Sequence, residues 1–263
     1  MVASSLRTLS RTLSHALVSE QIAHQSGLMQ SLNPRVRVVG IVALVITIAL
    51  LYKPWVALAL FVASVALALA SAVPLRTLAL RVWLVVLAFT GVIALPALFL
   101  TPGDPLSAAP SITRQGLHTA LMLIARVETA VTLTTVLVLT TPWAQILKAL
   151  RSLGIPKEAV MMLAMAHRYI FLLAETATQM FESRESRRVG VLRGPERRRV
   201  ATQAAGVLMS KSIDLSHDVF LAMQSRGYRG EVHVLSEQHM TVRDYAALAV
   251  FLAIAALAIW VGR

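Results

Sequence analysis

Residues 36–52, VRVVGIVALVITIALLY, and residues 54–73, PWVALALFVASVALALASAV, decide the fold of this chain. They lie almost end to end, separated by Lys53, and Arg37 is the one charged residue within them. A segment of about 20 apolar residues can cross the roughly 30 Å of hydrocarbon in a bilayer. Hydrophobic residues make up 57% and charged residues 14% of the 263-residue chain, a composition too apolar for a soluble domain. The chain is therefore predicted to be a polytopic membrane protein.

Three further apolar segments extend this pattern. They cover residues 78–100, 117–141 and 242–261, so five spans are expected, with six as the alternative if the apolar stretch 159–174 enters the bilayer. The predicted fold class is all-α, with about five transmembrane helices and two long cytoplasmic helices. The predicted organisation is an N-terminal cytoplasmic segment at 1–35, four spans at 36–141, a cytoplasmic region at 142–241 and a last span at 242–263.

Lysine and arginine are distributed unevenly among the connections. Four arginines lie at or before the start of the first span, Arg7, Arg11, Arg35 and Arg37, and fifteen Lys or Arg residues lie between positions 142 and 243. Because cytoplasmic loops are enriched in these residues, the N-terminus and the 142–241 region are predicted to face the cytoplasm. Residues 1–20 are rich in Ser, Thr and Arg, and an interfacial helix is favoured there over an organellar targeting segment.

The cytoplasmic region contains two long helical patterns, and each ends at an arginine. The first runs from Pro156 to about Arg188, about 50 Å, and the second from Gly194 to Arg226, where Gly227 stops it. The two endings read ESRESRRVG at 182–190 and AMQSRGYRG at 222–230. An arginine at a helix C-terminus is favoured by the helix dipole and can pair bidentately with a partner's carboxylate. Capping of its own helix is the alternative for a single arginine, whereas two equivalent tips favour docking.

Three segments of this region carry a resemblance to a known family: LKALRSLGIPKEAV at 147–160, HRYIFLLAETATQMFESRESRR at 167–188 and KSIDLSHDVFLAMQSRGYRGE at 211–231. Over roughly residues 25–263 the chain resembles the transmembrane T component of energy-coupling factor (ECF) transporters. The segments SGLMQSLNPRVRVV at 26–39, TTPW at 140–143 and RGYRGE at 226–231 make it most similar to the cobalt or nickel type, CbiQ. The resemblance implies a non-catalytic subunit of an ATP-driven importer in the plasma membrane of a prokaryote.

In that family, each of two cytoplasmic coupling helices ends in an arginine-centred triplet that inserts into a groove of an ATPase subunit. The matching positions here are Ser183-Arg184-Glu185 and Ser225-Arg226-Gly227. The first triplet departs from the usual Ala-Arg-Gly or Ala-Arg-Ser, and a shifted register at Ser186-Arg187-Arg188 stays open. The resemblance implies two ATP-binding-cassette ATPase subunits and a substrate-binding S-type membrane subunit as partners. It places ATP and Mg on the ATPases and no cofactor in this chain.

Arg126 and Glu128 lie near the middle of the fourth predicted span. An unpaired charge at that depth costs a few kcal/mol or more, so both side chains are expected to face protein and to find partners. Their spacing of two residues puts them on different helix faces, which disfavours an ion pair between them. A role in translocation is one interpretation. Structural pairing with neighbouring helices or with the substrate subunit is the favoured one.

Several chemistries are excluded by what the sequence lacks. It contains no cysteine, so thiolate metal sites and disulfides are impossible, and its seven histidines form neither HxxxH nor HExxH. No metal site is therefore predicted in this chain. No GxxxxGK[ST] loop occurs either, so the energy of ATP must come from another polypeptide. A membrane enzyme, a self-contained carrier or channel, and a T component for a vitamin are the alternatives to cobalt or nickel uptake.

Overall fold

A computed structural model describes residues 27–74, 76, 78–101, 105–106, 109–187, 194–229 and 240–262. Its helices are α1 (Leu28–Ser31), α2 (Pro34–Leu50), α3 (Pro54–Ala70), a π-helical segment (Leu78–Trp83) that continues into α4 (Leu84–Leu100), α5 (Arg114–Thr140), α6 (Trp143–Ser152), α7 (Lys157–Ser186), α8 (Gly194–Ser225) and α9 (Val242–Gly262). Two short strands, β1 (Pro105–Leu106) and β2 (Ala109–Thr113), pair antiparallel. Apart from this hairpin the described elements are helices, which confirms the all-α fold. Residues 1–26 of the predicted N-terminal segment lie outside the described residues.

Proline sets the start of both α2 and α3. Pro34 and Pro54 are the first residues of these helices, where the missing N–H removes no helical hydrogen bond. Before α2, the side-chain oxygen of Asn33 accepts a hydrogen bond of 3.1 Å from the N–H of Arg35. Helix α3 ends at Ala70 rather than at the predicted residue 73, because a turn follows it. Both helices have 17 residues, about 25 Å in length.

Four helical segments are long and apolar enough to cross a membrane: Leu78–Phe99, Arg114–Thr140, Lys157–Ser186 and Val242–Gly262. Three of them coincide with predicted spans. The remaining one is α7, which contains the stretch 159–174 and so matches the length and composition expected in the six-span alternative. The helices α2 and α3 correspond to the first two predicted spans and fall just short of 18 residues.

The described chain divides into two compact units, and the first contains residues 27–149 and 240–262. In this unit α5 packs against α2, α3 and α4, while α9 packs against α2. A Cβ added at Gly40 of α2 would lie 2.7 Å from Cδ2 of Phe251 in α9. The two helices therefore approach closely where α2 has no side chain, as small residues permit in membrane proteins. We call this unit the membrane unit.

The second compact unit contains the described residues of 150–229. It consists mainly of α7 and α8, which pack on each other. No residue of α7 is buried, and large apolar side chains such as Met162 and Met209 are mostly exposed. Among the described residues the unit therefore presents exposed apolar surface, a feature typical of membrane or protein contact. We call this unit the coupling unit.

Candidate functional site

Helix α8 ends in a Schellman motif around Gly227. The N–H of Gly227 donates to the carbonyl of Gln224 at 2.9 Å, and the N–H of Tyr228 donates to the carbonyl of Met223 at 3.0 Å. Gly227 has φ +82°, the left-handed conformation that glycine adopts without strain. Arg226 is the first residue after the helix and is exposed. The local sequence therefore stops α8 sharply and leaves the Arg226 side chain at its tip.

The predicted triplet of α7 occupies a different position relative to the helix end. Ser183, Arg184 and Glu185 all lie inside the last turn of α7, and Arg184 is only half-exposed. Arg187 is the first residue after the helix and is exposed. Arg188, the last residue of the shifted register, lies outside the described residues. By position along its helix, Arg187 rather than Arg184 is the counterpart of Arg226.

The serines that precede these two arginines are also equivalent. Ser186 and Ser225 are each the last residue of their helix. The Oγ of Ser186 donates to the carbonyl of Ser183 at 3.0 Å, and the Oγ of Ser225 donates to the carbonyl of Ala222 at 2.9 Å. Each hydroxyl thus donates a hydrogen bond to a backbone carbonyl that has no N–H partner within the helix. The structure therefore gives the same serine–arginine ending to both helices of the coupling unit.

The two endings lie at opposite ends of α7. The hydroxyl of Tyr228, two residues beyond Arg226, donates to Sδ of Met161 at 3.3 Å. Met161 is in the second turn of α7, and Arg187 follows its C-terminus. The 26 residues from Met161 to Arg187 correspond to about 39 Å of helix. The α8 tip therefore lies near the start of α7, well separated from the α7 tip.

Arg126 and Glu128, the two charges predicted in the middle of a span, differ in their surroundings. One guanidinium nitrogen of Arg126, Nη2, donates to the carbonyl of Leu51 at 2.7 Å. Glu128 is 6% exposed, and neither of its carboxyl oxygens has a hydrogen-bond partner among the described residues. Among the described residues, Arg126 thus has a hydrogen-bond partner for Nη2 but none for Nε, and Glu128 has none; pairing of Glu128 with the substrate subunit stays a prediction. The two side chains do not form an ion pair, in agreement with their spacing.

Arg37 and Arg126 cap each other's helices at the two ends of the α2–α5 pair. Arg37 of α2 donates from Nη1 to the carbonyl of Thr140, the last residue of α5, at 2.9 Å. Arg126 of α5 donates to the carbonyl of Leu51, the residue that directly follows α2. Backbone carbonyls at a helix end have no partner within the helix, and a cation there is also favoured by the dipole. Arg126 therefore supplies a hydrogen-bond donor to a carbonyl at the end of α2.

Sequence reasoning missed a buried polar cluster at the start of α2 and α9. Arg37 was counted only as a charge that flanks the first span, yet it is 3% exposed. Asp244 was not singled out, although it is 5% exposed and accepts a hydrogen bond of 2.8 Å from the N–H of Asn33. The Asn33-Pro34 pair is a recognisable helix start. The contact between residues 33 and 244 joins distant segments, so no local pattern predicts it.

The described residues contain no group of three or more His, Asp or Glu side chains that could hold a metal ion.

Comparison with known proteins gives one family and several relatives. The family model of CbiQ, cobalt transport protein, matches residues 25–237. An uncharacterised protein of Methanocaldococcus jannaschii is 32% identical over 260 residues, which cover 95% of this chain and 88% of that protein. The cobalt transport protein CbiQ of Rhodobacter capsulatus is 30% identical over 192 residues, 65% of this chain and 77% of that one. The energy-coupling factor transporter transmembrane protein EcfT of Leuconostoc gelidum is 30% identical over 175 residues, 60% of this chain and 65% of that one.

Proposed function

Because the chain belongs to the cobalt transport protein family CbiQ and is an ECF-type T component, we propose that it couples ATP hydrolysis by two partner ATPases to movement of a substrate-binding membrane subunit. In this proposal the coupling unit faces the cytoplasm of a prokaryotic cell and the membrane unit lies in its plasma membrane. The chain itself is not an enzyme. ATP and Mg are bound by the ATPases.

The observation that carries this proposal is the pair of serine–arginine tips on α7 and α8. The tips share the same position at a helix end, and about 39 Å of α7 separates them. Two equivalent tips far apart suit two equivalent ATPase subunits, each with its own groove. The docking segments are Ser183–Arg187 at the end of α7, which includes the Ser183-Arg184-Glu185 triplet, and Ser225-Arg226-Gly227 at the end of α8.

Arginine is suited to this role for physical reasons. Its guanidinium is permanently charged, is planar and offers five N–H donors that match a carboxylate bidentately. A helix of 30 or 32 residues, such as α7 or α8, carries a displacement of its tip along its length. Closure of the ATPase dimer on ATP would thus shift both tips together. The apolar, uncovered surfaces of α7 and α8 would pass that shift to the substrate subunit or to the bilayer.

The substrate in this proposal is a cobalt or nickel ion. The ion is captured by the companion membrane subunit, so the coupling chain requires no ligands of its own. This assignment is supported by the match to the cobalt transport protein family. It is separate from the docking proposal, which holds equally for a T component that serves a vitamin.

The test is an affinity pull-down of the detergent-solubilised complex from cells that also express the ATPases and the substrate subunit. The variant combines Arg184→Glu, Arg187→Glu and Arg226→Glu, which replaces each cation at the two tips by an anion. Arg168→Glu serves as the matched control, because Arg168 is an exposed arginine in the middle of α7. The wild type and the control are expected to retain the ATPases, and the variant is expected to lose them.

If the triple variant still binds the ATPases, the ATPases dock at a place other than the helix tips. Wild-type protein that binds no ATPase and still transports ions in liposomes without nucleotide would establish the self-contained carrier instead. Uptake of a vitamin but not of Co²⁺ or Ni²⁺ by the intact complex would leave docking in place and change the substrate.

A further inference from the structure

The segment Gln30–Arg37 is bonded to the end of α5 and to the start of α9, the two helices that flank the 142–241 region in the chain. Arg37 donates to the carbonyl of Thr140, the last residue of α5, and the N–H of Asn33 donates to Asp244 in the first turn of α9. We call the side chains and carbonyls that join these three segments the root junction.

Arg37 supplies the first half of the root junction. Its guanidinium donates from Nε to the carbonyl of Leu32 at 2.8 Å, from Nη2 to the carbonyl of Gln30 at 2.6 Å and from Nη1 to the carbonyl of Thr140 at 2.9 Å. All three donor nitrogens of the guanidinium are thus used on backbone carbonyls. Because Arg37 and Thr140 are both almost fully buried, water does not substitute for these bonds.

Asp244 supplies the second half. Its Oδ1 accepts from the N–H of Asn33 at 2.8 Å, and its Oδ2 accepts from both the N–H and the Oγ1 of Thr241 at 2.8 Å. One carboxylate therefore ties the residue that caps α2 to the residue that leads into α9.

We propose that the root junction is the element through which displacement of the coupling unit is passed to α2 and the other spans; this inference rests on the proposed function. The end of α5 and the start of α9, which flank the 142–241 region in the chain, are both bonded to this one short segment, so they move together with the start of α2. A loose connection at either place would absorb the displacement instead. Arg37 and Asp244 are accordingly positioning residues, which touch neither ATP nor the transported ion.

The test uses the whole transporter, with ATPases and substrate subunit, reconstituted in liposomes and supplied with Co²⁺ or Ni²⁺. Two variants weaken the junction: Arg37→Gln removes the charge and one or more donors, and Asp244→Asn removes the charge at nearly constant shape. Arg35→Gln is the matched control, since Arg35 is a half-exposed arginine two residues from Arg37. The measured quantities are ATPase co-purification, ATP hydrolysis and ion uptake.

Both junction variants are expected to retain the ATPases within about twofold and to hydrolyse ATP, while uptake per ATP falls by roughly tenfold or more. The Arg35→Gln control is expected to keep the wild-type ratio of ion uptake to ATP hydrolysis. A wild-type ratio in Arg37→Gln and Asp244→Asn overturns the inference. So does failure of both variants to assemble, because the junction would then serve folding alone. Failure of the proposed function has a different signature, since the wild type itself would bind no ATPase.

Discussion

Replacing Arg187 by alanine is expected to weaken ATPase binding much more than replacing Arg184. Arg187 directly follows α7, as Arg226 directly follows α8, and both side chains are exposed at a helix tip. Arg184 lies within the last turn and is half-exposed. A side chain inserted into a partner's groove must project beyond the helix end, and only Arg187 shares that position with Arg226.

The magnitudes of the two effects differ enough to be separated. Truncating an arginine that is buried and paired in an interface costs about 2–5 kcal/mol, which is roughly 30-fold or more in Kd. Losing an exposed ion pair costs at most about 1 kcal/mol, or about fivefold. We therefore expect Arg187→Ala and Arg226→Ala to raise Kd by roughly 30-fold or more. Arg184→Ala is expected to raise it by less than about fivefold.

The assay is a fluorescence titration of labelled ATPase with the T subunit in nanodiscs, performed for each single variant. Arg168→Ala, in the middle of α7, controls for the general loss of a positive charge. A large loss of affinity with Arg184→Ala and a small one with Arg187→Ala would refute the argument from helix position. It would restore the Ser183-Arg184-Glu185 register that the family resemblance implies.

Three further predictions concern the membrane unit and are read from thermal unfolding in detergent. Gly40→Val is expected to lower the free energy of unfolding by about 1–3 kcal/mol, because the new side chain meets Phe251. Gly91→Ala is its control and should not lower Tm, because nothing lies within 4 Å of the added Cβ. Arg126→Met is expected to lower the free energy of unfolding by about 1–3 kcal/mol, because a buried carbonyl at the end of α2 loses its hydrogen-bond donor. An unchanged Tm would contradict the capping role of Arg126. Glu128→Gln is expected to leave Tm equal or higher, because neither carboxyl oxygen has a hydrogen-bond partner among the described residues; a lower Tm would reveal an unrecognised partner.

The helices follow closely from local sequence, whereas the polar contacts between them do not. Apolar runs and the Asn33-Pro34 start predict α2 because both signals lie within a few neighbouring residues. The α8 tip follows likewise from Gly227, whose left-handed conformation is a local property. By contrast, Arg37 meets Thr140, 103 residues away in sequence. Such contacts depend on how α2 and α5 pair, so a sequence pattern alone identifies Arg37 only as a flanking charge.

The register of the α7 tip is an intermediate case. The sequence presents two Ser-Arg pairs, Ser183-Arg184 and Ser186-Arg187, three residues apart, so both lie on the same side of a helix. Similarity to the family motif favours the first pair, whereas the position of the C-terminal end of α7 favours the second. Only the end of α7 at Ser186 distinguishes them, and helix ends are the least predictable part of a pattern.

The shortness of α2 and α3 has a consequence for the surrounding lipid. At about 25 Å each, they are about 5 Å shorter than a typical hydrocarbon layer of about 30 Å. Lipid beside a short span thins to match it, at a cost of a fraction of a kcal/mol per ångström. The bilayer next to α2 and α3 is therefore compressed in this picture. A neighbouring membrane protein on that side would span a thinner hydrocarbon layer. When that protein tilts, less of its own apolar surface is exposed to water.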